Sequence, residues 1–254
     1  MSHGSFFWYD LISKDPAATR AFVTQLFGWV ASEATMPDGT PYTSFSSGGN
    51  LICGLMPFSP ARDFEDGRAH WMTYVQVDRL FATTTRVERK GGTILSDPLP
   101  VPELGTYQII RDSEGALLAL VEAQRPVLSH KFIWNSVIWN ELNCRSAADA
   151  KDFYRGIAGW TATSVVDEGL TYDFFTQGGA NVAGLLEMNG TGFEDVRPGW
   201  QTYLAVADVD DMATKAVECG GYLAASPFDL PGVGRIAIIV EPGGCQISLL
   251  HPPE

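Results

Sequence analysis

Apolar and polar positions follow one another along this chain in two rhythms, and the switches between them mark out the elements. Phe6 to Leu11 is apolar enough for a strand. Asp15 then makes a good helix N-cap, because its short carboxylate can accept from the free N–H groups of a first turn. Pro16 falls at the first helical position, where its missing N–H costs nothing. Phe22 and Leu26 put an apolar stripe on that helix, and Gly28 supplies the stop. Tyr42 to Phe45 and Asn50 to Met56 read as short strands around a Gly48-Gly49 turn, and Trp71 to Val77 is strongly β in character. Asp78 opens a second helix through Val87 that ends at Gly91-Gly92. Tyr107 to Arg111 and Leu117 to Val121 are the closing strands, joined through Asp112-Ser113-Glu114-Gly115.

The pattern then starts again. Trp8-Tyr9-Asp10 is echoed by Trp139-Asn140-Glu141, and Phe27-Gly28-Trp29 by Ala158-Gly159-Trp160. Gly48-Gly49 and Gly54-Leu55 return as Gly178-Gly179 and Gly184-Leu185, and Trp71 and Tyr74 as Trp200 and Tyr203. Ser146 caps the second copy of the first helix, Phe153 and Ile157 repeat its stripe, and Asp208 to Gly220-Gly221 repeats the second helix. Arg235 to Val240 and Gln246 to Leu250, joined through Glu241-Pro242-Gly243-Gly244, repeat the closing strands. The order never breaks and the spacing between counterparts hardly changes. One module has been duplicated: a first over 1–124, a second over 132–254, with 125–131 as the linker. Each module reads as two βαβββ units.

Composition narrows the possibilities. The 254 residues suffice for two domains that each bury a core. There is no apolar run of about 18 residues, so no membrane span is expected. The N-terminus lacks a basic stretch followed by an apolar one, so no signal peptide is expected either. A net charge of −13 disfavours nucleic acid, whose binding rests on Lys and Arg. Cys53, Cys144, Cys219 and Cys245 form no close pair and do not recur between copies, which points to reduced thiols in a cytoplasm. The glycine pairs lack the Gly-Lys-Ser/Thr ending of a phosphate loop and precede no helix, so they are read as hairpin turns.

The chain resembles the two-module members of the vicinal oxygen chelate superfamily, also called the glyoxalase/bleomycin resistance protein/extradiol dioxygenase superfamily. The residues that carry the resemblance are Asp15-Pro16-Ala17-Ala18, Ala21-Phe22 and Phe27-Gly28-Trp29, with Ala150 to Tyr154 and Gly159-Trp160 in the second copy. Tyr74-Val75-Gln76-Val77-Asp78 and the Glu241-Pro242-Gly243-Gly244 turn fit as well. The resemblance implies an α+β fold of tandem modules, each with a curved mixed β-sheet around a cavity.

It also implies where a metal would sit in the metal-using members. The ligands there are His, Glu or Gln on the first strand, the strand opening the second unit and the final strand. Those positions fall on Trp8, Met72 and Ala119 in the first copy and on Trp139, Gln201 and Ser248 in the second. An indole nitrogen only donates and cannot ligate a metal. His3 falls in what reads as a loose tail, and His70, His130 and His251 do not recur between copies. Neither the usual metal centre nor another cofactor is expected.

Aromatic and acidic residues stand in its place. Every second side chain of a strand shares a face, so Asp10 accompanies Trp8 and Glu141 accompanies Trp139. Tyr74 and Tyr203 share a face with Met72 and Gln201, and Trp71 and Trp200 take the opposite one. The candidate ligand-binding set is therefore Trp8, Asp10, Tyr74, Trp139, Glu141, Gln201 and Tyr203. It suits a flat, hydroxylated or cationic small molecule, held by stacking, cation–π attraction and charge-assisted hydrogen bonds. The alternative is a lyase, isomerase or dioxygenase of the same superfamily. Such an enzyme would use Asp10 or Glu141 as a general base, or a displaced metal site built from Asp10, Glu141 and Gln201 or His70. Since two modules can pair within one chain, a monomer or weak homodimer is expected.

Overall fold

In the computed structural model, residues 3–60, 64, 67–101, 103–125, 132–167 and 170–253 are described. The chain folds as four successive βαβββ units. The first is β1 (Phe6–Ser13), α1 (Pro16–Phe27), β2 (Val30–Thr35), β3 (Pro41–Ser47) and β4 (Asn50–Pro57). The second is β5 (His70–Gln76), α2 (Leu80–Arg89), a strand in two short pieces on β8, namely β6 (Thr93–Ile94) and β7 (Leu99–Val101), then β8 (Gly105–Arg111) and β9 (Leu117–Ala123). The third is β10 (Val137–Cys144), α3 (Ala147–Ala158), β11 (Thr161–Asp167), β12 (Leu170–Gln177) and β13 (Ala180–Glu187). The fourth is β14 (Gly199–Ala205), α4 (Val209–Glu218), β15 (Tyr222–Leu230), β16 (Gly234–Val240) and β17 (Gln246–His251). The proposed linker lies outside the described residues apart from Arg125, as does His130.

The units build two curved mixed sheets. One runs β2-β3-β4-β1-β5-β9-β8-β6, with β7 on β8, and the other β11-β12-β13-β10-β14-β17-β16-β15. In each unit the first strand pairs in parallel with the last: β1 with β4, β5 with β9, β10 with β13, β14 with β17. A parallel pair cannot close through a tight turn, which is why each unit interposes a helix and two further strands.

Local chemistry sets the helix ends. Asp15 caps α1 by accepting from Ala18 N at 3.0 Å, Ser146 caps α3 through Asp149 N, and Asp208 caps α4 through Asp211 N. Gly28 and Gly159 close α1 and α3 in the left-handed conformation, at φ 69° and 70°. The second helix departs from expectation. Asp78 does not open it: the N-cap is Arg79, and the free N–H of Leu80 is held at 2.7 Å by Glu122 Oε2 from β9. A carboxylate distant in sequence holds the first N–H, and the helix begins one residue later than an Asp78 cap implies.

The chain divides into two compact units that cut across the sequence repeats. One takes the chain as far as Trp8, the second quarter from Thr73, and Trp139–Gln201. The other takes Tyr9–Met72 and the last quarter from Thr202, together with a short stretch before β10. Each unit thus combines one βαβββ unit from either repeat.

In the first of these, Val75, Ile110, Leu118 and Leu120 of the sheet pack with Val87 of α2 and Phe153, Tyr154 and Ile157 of α3. The Asp112 carboxylate accepts from Glu114 N, Ala116 N and the Tyr154 hydroxyl, and Tyr154 in turn accepts from Trp200 Nε1 at 2.9 Å. His3 and Gly4 do not lie in a loose tail. Gly4 N donates to Gln76 O at 2.7 Å, Trp160 Nε1 to Gly4 O at 2.8 Å, and Gln177 Nε2 to His3 O.

In the second, Glu241 occupies the place equivalent to Asp112. It accepts from Gly243 N, Cys245 N and the Thr19 hydroxyl of α1, each at 2.6 to 2.7 Å. Trp29 Nε1 donates to Asn135 O and Trp71 Nε1 to Gln246 O, both at 2.8 Å. The two large indoles past the first-helix stops, Trp29 and Trp160, are thus core residues with their N–H groups paired.

Candidate functional site: a repeated acid–tyrosine pair

The sheet face turned away from the helices carries the candidate residues. Val75 and Val77 belong to the core under the helices, so Met72 and Tyr74 point the other way. Trp200 packs edge-on against Tyr154 and Trp160 on the helix side, which sends Gln201 and Tyr203 to the opposite face. Tyr74 stands beside Ala119 of β9 and meets Tyr107 edge to face, with ring centroids 5.4 Å apart. Tyr203 stands beside Ser248 of β17.

Asp10 is the most buried of the candidate acids, at 3% exposure. Its partner on the parallel strand β4 is Gly54, and Gly54 is flanked in turn by Ser44 of β3. Tyr42, two residues before Ser44, sends its hydroxyl back across the row and donates to Asp10 Oδ1 at 2.9 Å. That approach requires the glycine. A Cβ at position 54 would lie 2.0 Å from Asp10 Oδ1 and 2.1 Å from the Tyr42 hydroxyl. Cys53, next in the strand, is fully buried, and its thiol is pushed well up by burial and by the Asp10 charge.

The second repeat builds the same arrangement from counterpart residues. Glu141, 9% exposed, stands beside Gly184 of β13, which is flanked by Phe174 of β12. Tyr172, two residues before Phe174, donates its hydroxyl proton to Glu141 Oε2. The Trp139 indole also hydrogen-bonds to the Tyr172 side chain, and a Cβ on Gly184 would come within 1.9 Å of the Tyr172 oxygen. Burial, and then the Glu141 charge, drive the Tyr172 pKa far above its ordinary value, so this phenol keeps its proton. Phe174 completes an aromatic wall, 4.9 Å from Tyr172 and 6.1 Å from Trp139 between ring centroids, edge to face with both.

The structure therefore joins Trp139 and Glu141 through Tyr172, and gives Asp10 a tyrosine partner of its own. Trp8 lies two residues before Asp10 on β1 and is buried. The remaining candidates fall in both compact units: Tyr74 and Gln201 in that of Glu141, and Tyr203 in that of Asp10. Tyr42 and Tyr172 were not among the sequence candidates. The signal was present, since the two tyrosines occupy matching places in the repeats.

Comparison with known proteins agrees with this architecture. The family model for the glyoxalase/bleomycin resistance protein/dioxygenase superfamily matches residues 5–120 and again 136–249. The chain belongs to this superfamily. It is 34% identical to the anthracycline biosynthesis protein DnrV of Streptomyces peucetius, over 97% of this chain and 93% of that protein. It is 32% identical to the putative glyoxylase CFP32 of Mycobacterium tuberculosis, over 96% of this chain and 94% of that protein. In fold it is similar to the Mn(II)-bound glyoxalase of Novosphingobium aromaticivorans, with a TM-score of 0.67 and 16% identity, covering 99% of this chain and 83% of that one. It is also similar to the 2,3-dioxygenase LapB of Pseudomonas sp. KL28, with a TM-score of 0.63 and 12% identity, covering 98% and 92%.

The donor set does not fit the metal centre of the metal-using members of this superfamily. At the three positions where such ligands would stand, the first repeat offers an indole, a thioether and a methyl group, at Trp8, Met72 and Ala119. The second offers Trp139, Gln201 and Ser248, of which only Gln201 resembles a ligand. Among the described residues, no three His, Cys, Asp or Glu side chains come together as a metal group. His251 is stacked on Trp134, and its Nδ1 lies 3.0 Å from Val206 O. His70 Nδ1 lies 2.9 Å from Arg68 O. No helix among the described residues is long and apolar enough to cross a membrane.

Proposed function

We propose that this protein binds a flat, hydroxylated or cationic organic molecule on the aromatic and acidic face of its sheets, without the metal centre of its metal-using relatives. The observation that carries this reading is the repeated constellation of acid, tyrosine and glycine, joined in the second repeat by the Trp139 indole. Burying a carboxylate costs several kcal/mol, at about the level of a lost hydrogen bond or more, unless it is well paired. Two such groups among aromatic rings, each with a glycine keeping space for it, are an arrangement that core packing does not call for. The name of its Streptomyces relative adds a substrate class. Anthracyclines are planar polycyclic phenols, and many carry an amino sugar, so they combine stacking surface, hydroxyl donors and a cation.

Titration of the protein with an anthracycline, followed through the ligand's own fluorescence and that of the tryptophans, tests this reading. A saturable change in both signals is expected. A linear response to the highest soluble concentration would remove the reading. The resemblance to a putative glyoxylase favours a second possibility, in which Asp10 or Glu141 abstracts a proton from a bound substrate. Turnover of that kind would vanish in Asp10→Asn or Glu141→Gln while binding persisted.

A further inference from the structure

We infer that the first repeat carries a further site, on the helix side of its sheet, for a small organic cation of the guanidinium or amidinium type. The site is a cleft between the start of α2, the segment entering β7, and the ends of β8 and β9. It stands apart from the binding function proposed above.

The cleft encloses about 360 Å³, and Leu80, Phe81, Pro98, Thr106, Gln108 and Glu122 are among the residues that line it. That volume lies within the range of small-molecule sites. Thr106 and Gln108 share a face of β8 with Ile110, and Glu122 shares a face of β9 with Leu118 and Leu120. Those three apolar residues pack under the helices, so the cleft opens on the opposite side of the sheet from Tyr74.

The equivalent place in the second repeat is filled by the chain itself. Thr106 stands between Pro100 of β7 and Glu122 of β9, and Arg235 in the same way between Asp229 of β15 and His251 of β17. Phe81 is the second residue of α2, and Asp210 the second of α4. The Arg235 guanidinium donates to Asp229 Oδ1 at 3.0 Å and to Asp210 Oδ1 at 2.8 Å, and so spans from sheet to helix. The first repeat has threonine, proline and phenylalanine at these three positions. Its short Thr106 side chain leaves the space open.

The groups around that space accept hydrogen bonds. Gln108 is buried, at 7% exposure, and its Nε2 donates to Ser96 O at 2.8 Å. Because a carbonyl only accepts, the amide nitrogen is fixed at that end. The Gln108 oxygen, which accepts from no described residue, is what this side chain offers the cleft. Glu122 is exposed, and the bond from Leu80 N to its Oε2 holds the carboxylate in place. Phe81 adds an aromatic ring, 85% exposed, and no Lys or Arg is among the described lining residues. An anion would be opposed by Glu122, which already occupies the start of the helix. A planar cation suits every wall: its coplanar N–H groups can reach the carboxylate and the amide oxygen while its face lies on the ring.

Benzamidine, titrated into the full chain and followed by ligand-observed NMR, probes the cleft, with benzamide as the neutral molecule of the same shape. Benzamidine is expected to saturate, and benzamide to bind about tenfold more weakly, since hydrogen bonds to a carboxylate gain from the ligand's charge. Glu122→Gln keeps an acceptor for Leu80 N and is expected to weaken benzamidine about tenfold. Phe81→Ala, which removes the exposed ring, is expected to weaken it about threefold. Thr106→Arg places the chain's own guanidinium in the cleft, as Arg235 does in the second repeat, and is expected to abolish binding with the circular dichroism spectrum unchanged. Should that variant lose its fold, Glu122→Gln and the comparison with benzamide decide alone. A linear response to benzamidine overturns the inference, and so does benzamide binding equally well. Saturable binding that neither Thr106→Arg nor Glu122→Gln weakens also overturns it, because the cation would then sit elsewhere, as on the face of Asp10 and Glu141. The cleft shares no residue with that face, so either reading can fail without the other.

Discussion

The Tyr154 hydroxyl donates to Asp112 Oδ2 at 3.0 Å, tying the first helix of the second repeat to the last loop of the first. Thr19 and Glu241 form the reciprocal tie at 2.6 Å, from the first helix of the first repeat to the last loop of the second. In both cases the loop carboxylate also closes its own turn, by accepting from the backbone N–H groups two and four residues on. One acid serves as both turn former and cross-repeat latch. Replacing Asp112 with Ala leaves two backbone donors and the Tyr154 hydroxyl without their acceptor in a dry interior. The expected loss is about 3 kcal/mol or more, read as a shift in urea midpoint at constant slope. Tyr154→Phe, which removes only the hydroxyl, should cost about 1 kcal/mol.

The same acid should leave a mark on the pH dependence of stability. Burial raises the Asp112 pKa more than its three hydrogen bonds lower it. A carboxyl whose folded pKa exceeds its unfolded value of about 3.9 binds more protons in the folded state. Its contribution to stability is therefore complete below about pH 4 and is lost as pH rises through the folded pKa. Other acids titrate over the same range, so the comparison must be a difference. The stability of the unaltered protein minus that of Asp112→Asn should increase as pH falls from neutral toward about 4. A difference that stays flat, or shrinks, would show that burial does not dominate at this carboxyl.

How far this could be read in the sequence depended on which side chains a residue must satisfy. Inner strands such as β1, β5 and β9 have at least one buried face, and their apolar character was visible. The outermost strands of the sheets, β2, β6, β11 and β15, are implied by the βαβββ pattern but no residues are assigned to them by it. β2 is exposed along nearly its whole length, from Val30 to Thr35, so burial imposes no alternation on it. Asp78 was a reasonable cap by residue type, but the group that holds Leu80 N is Glu122, distant in sequence and invisible to local rules. The acids were found because Trp-x-acid recurs on a strongly apolar strand. Their tyrosines lie in short, partly polar strands, and only the alignment of repeats could have brought Tyr42 and Tyr172 forward.

The glycines beside the acids offer a sharper test of the site than the acids themselves. Gly54→Ala and Gly184→Ala would each drive a methyl group into the space of a tyrosine oxygen about 2 Å away. Relief requires the tyrosine to swing off its carboxylate, which should cost about 1 to 3 kcal/mol of stability. Binding of the anthracycline should weaken in both variants. Thermal melts and the fluorescence titration together check this. Variants that melt lower but bind as the unaltered protein does would separate the glycines from the ligand.

Metal content is expected to follow the donor set. With Trp8, Met72 and Ala119 in the first repeat and Trp139, Gln201 and Ser248 in the second, neither repeat offers three oxygen or nitrogen ligands at those positions. Purified protein incubated with zinc, nickel, manganese or ferrous iron and then dialysed should retain far less than one equivalent. Removal of metal by a chelator should leave the melting temperature where it was, because a resident ion would stabilise the folded state by mass action. Near-stoichiometric retention would overturn this reading of the donor set.

Because each compact unit takes one βαβββ unit from either repeat, a repeat expressed alone lacks half of both cores. Residues 1–124 would present α2 without the Phe153 and Tyr154 of α3 that pack in its unit, and Thr19 without Glu241. They would also lack the acceptor for Trp71 Nε1 at Gln246 O. Residues 132–254 would leave Trp160, buried to 1% exposure, without the Gly4 carbonyl that receives its N–H. Neither fragment should therefore give a folded monomer with the near-ultraviolet dichroism of the whole chain. Produced together, the two should co-purify as a one-to-one complex that recovers that spectrum. Independent folding of 1–124 as a monomer would mean that the sequence repeat, rather than the unit assembled across repeats, is the cooperative element of this protein.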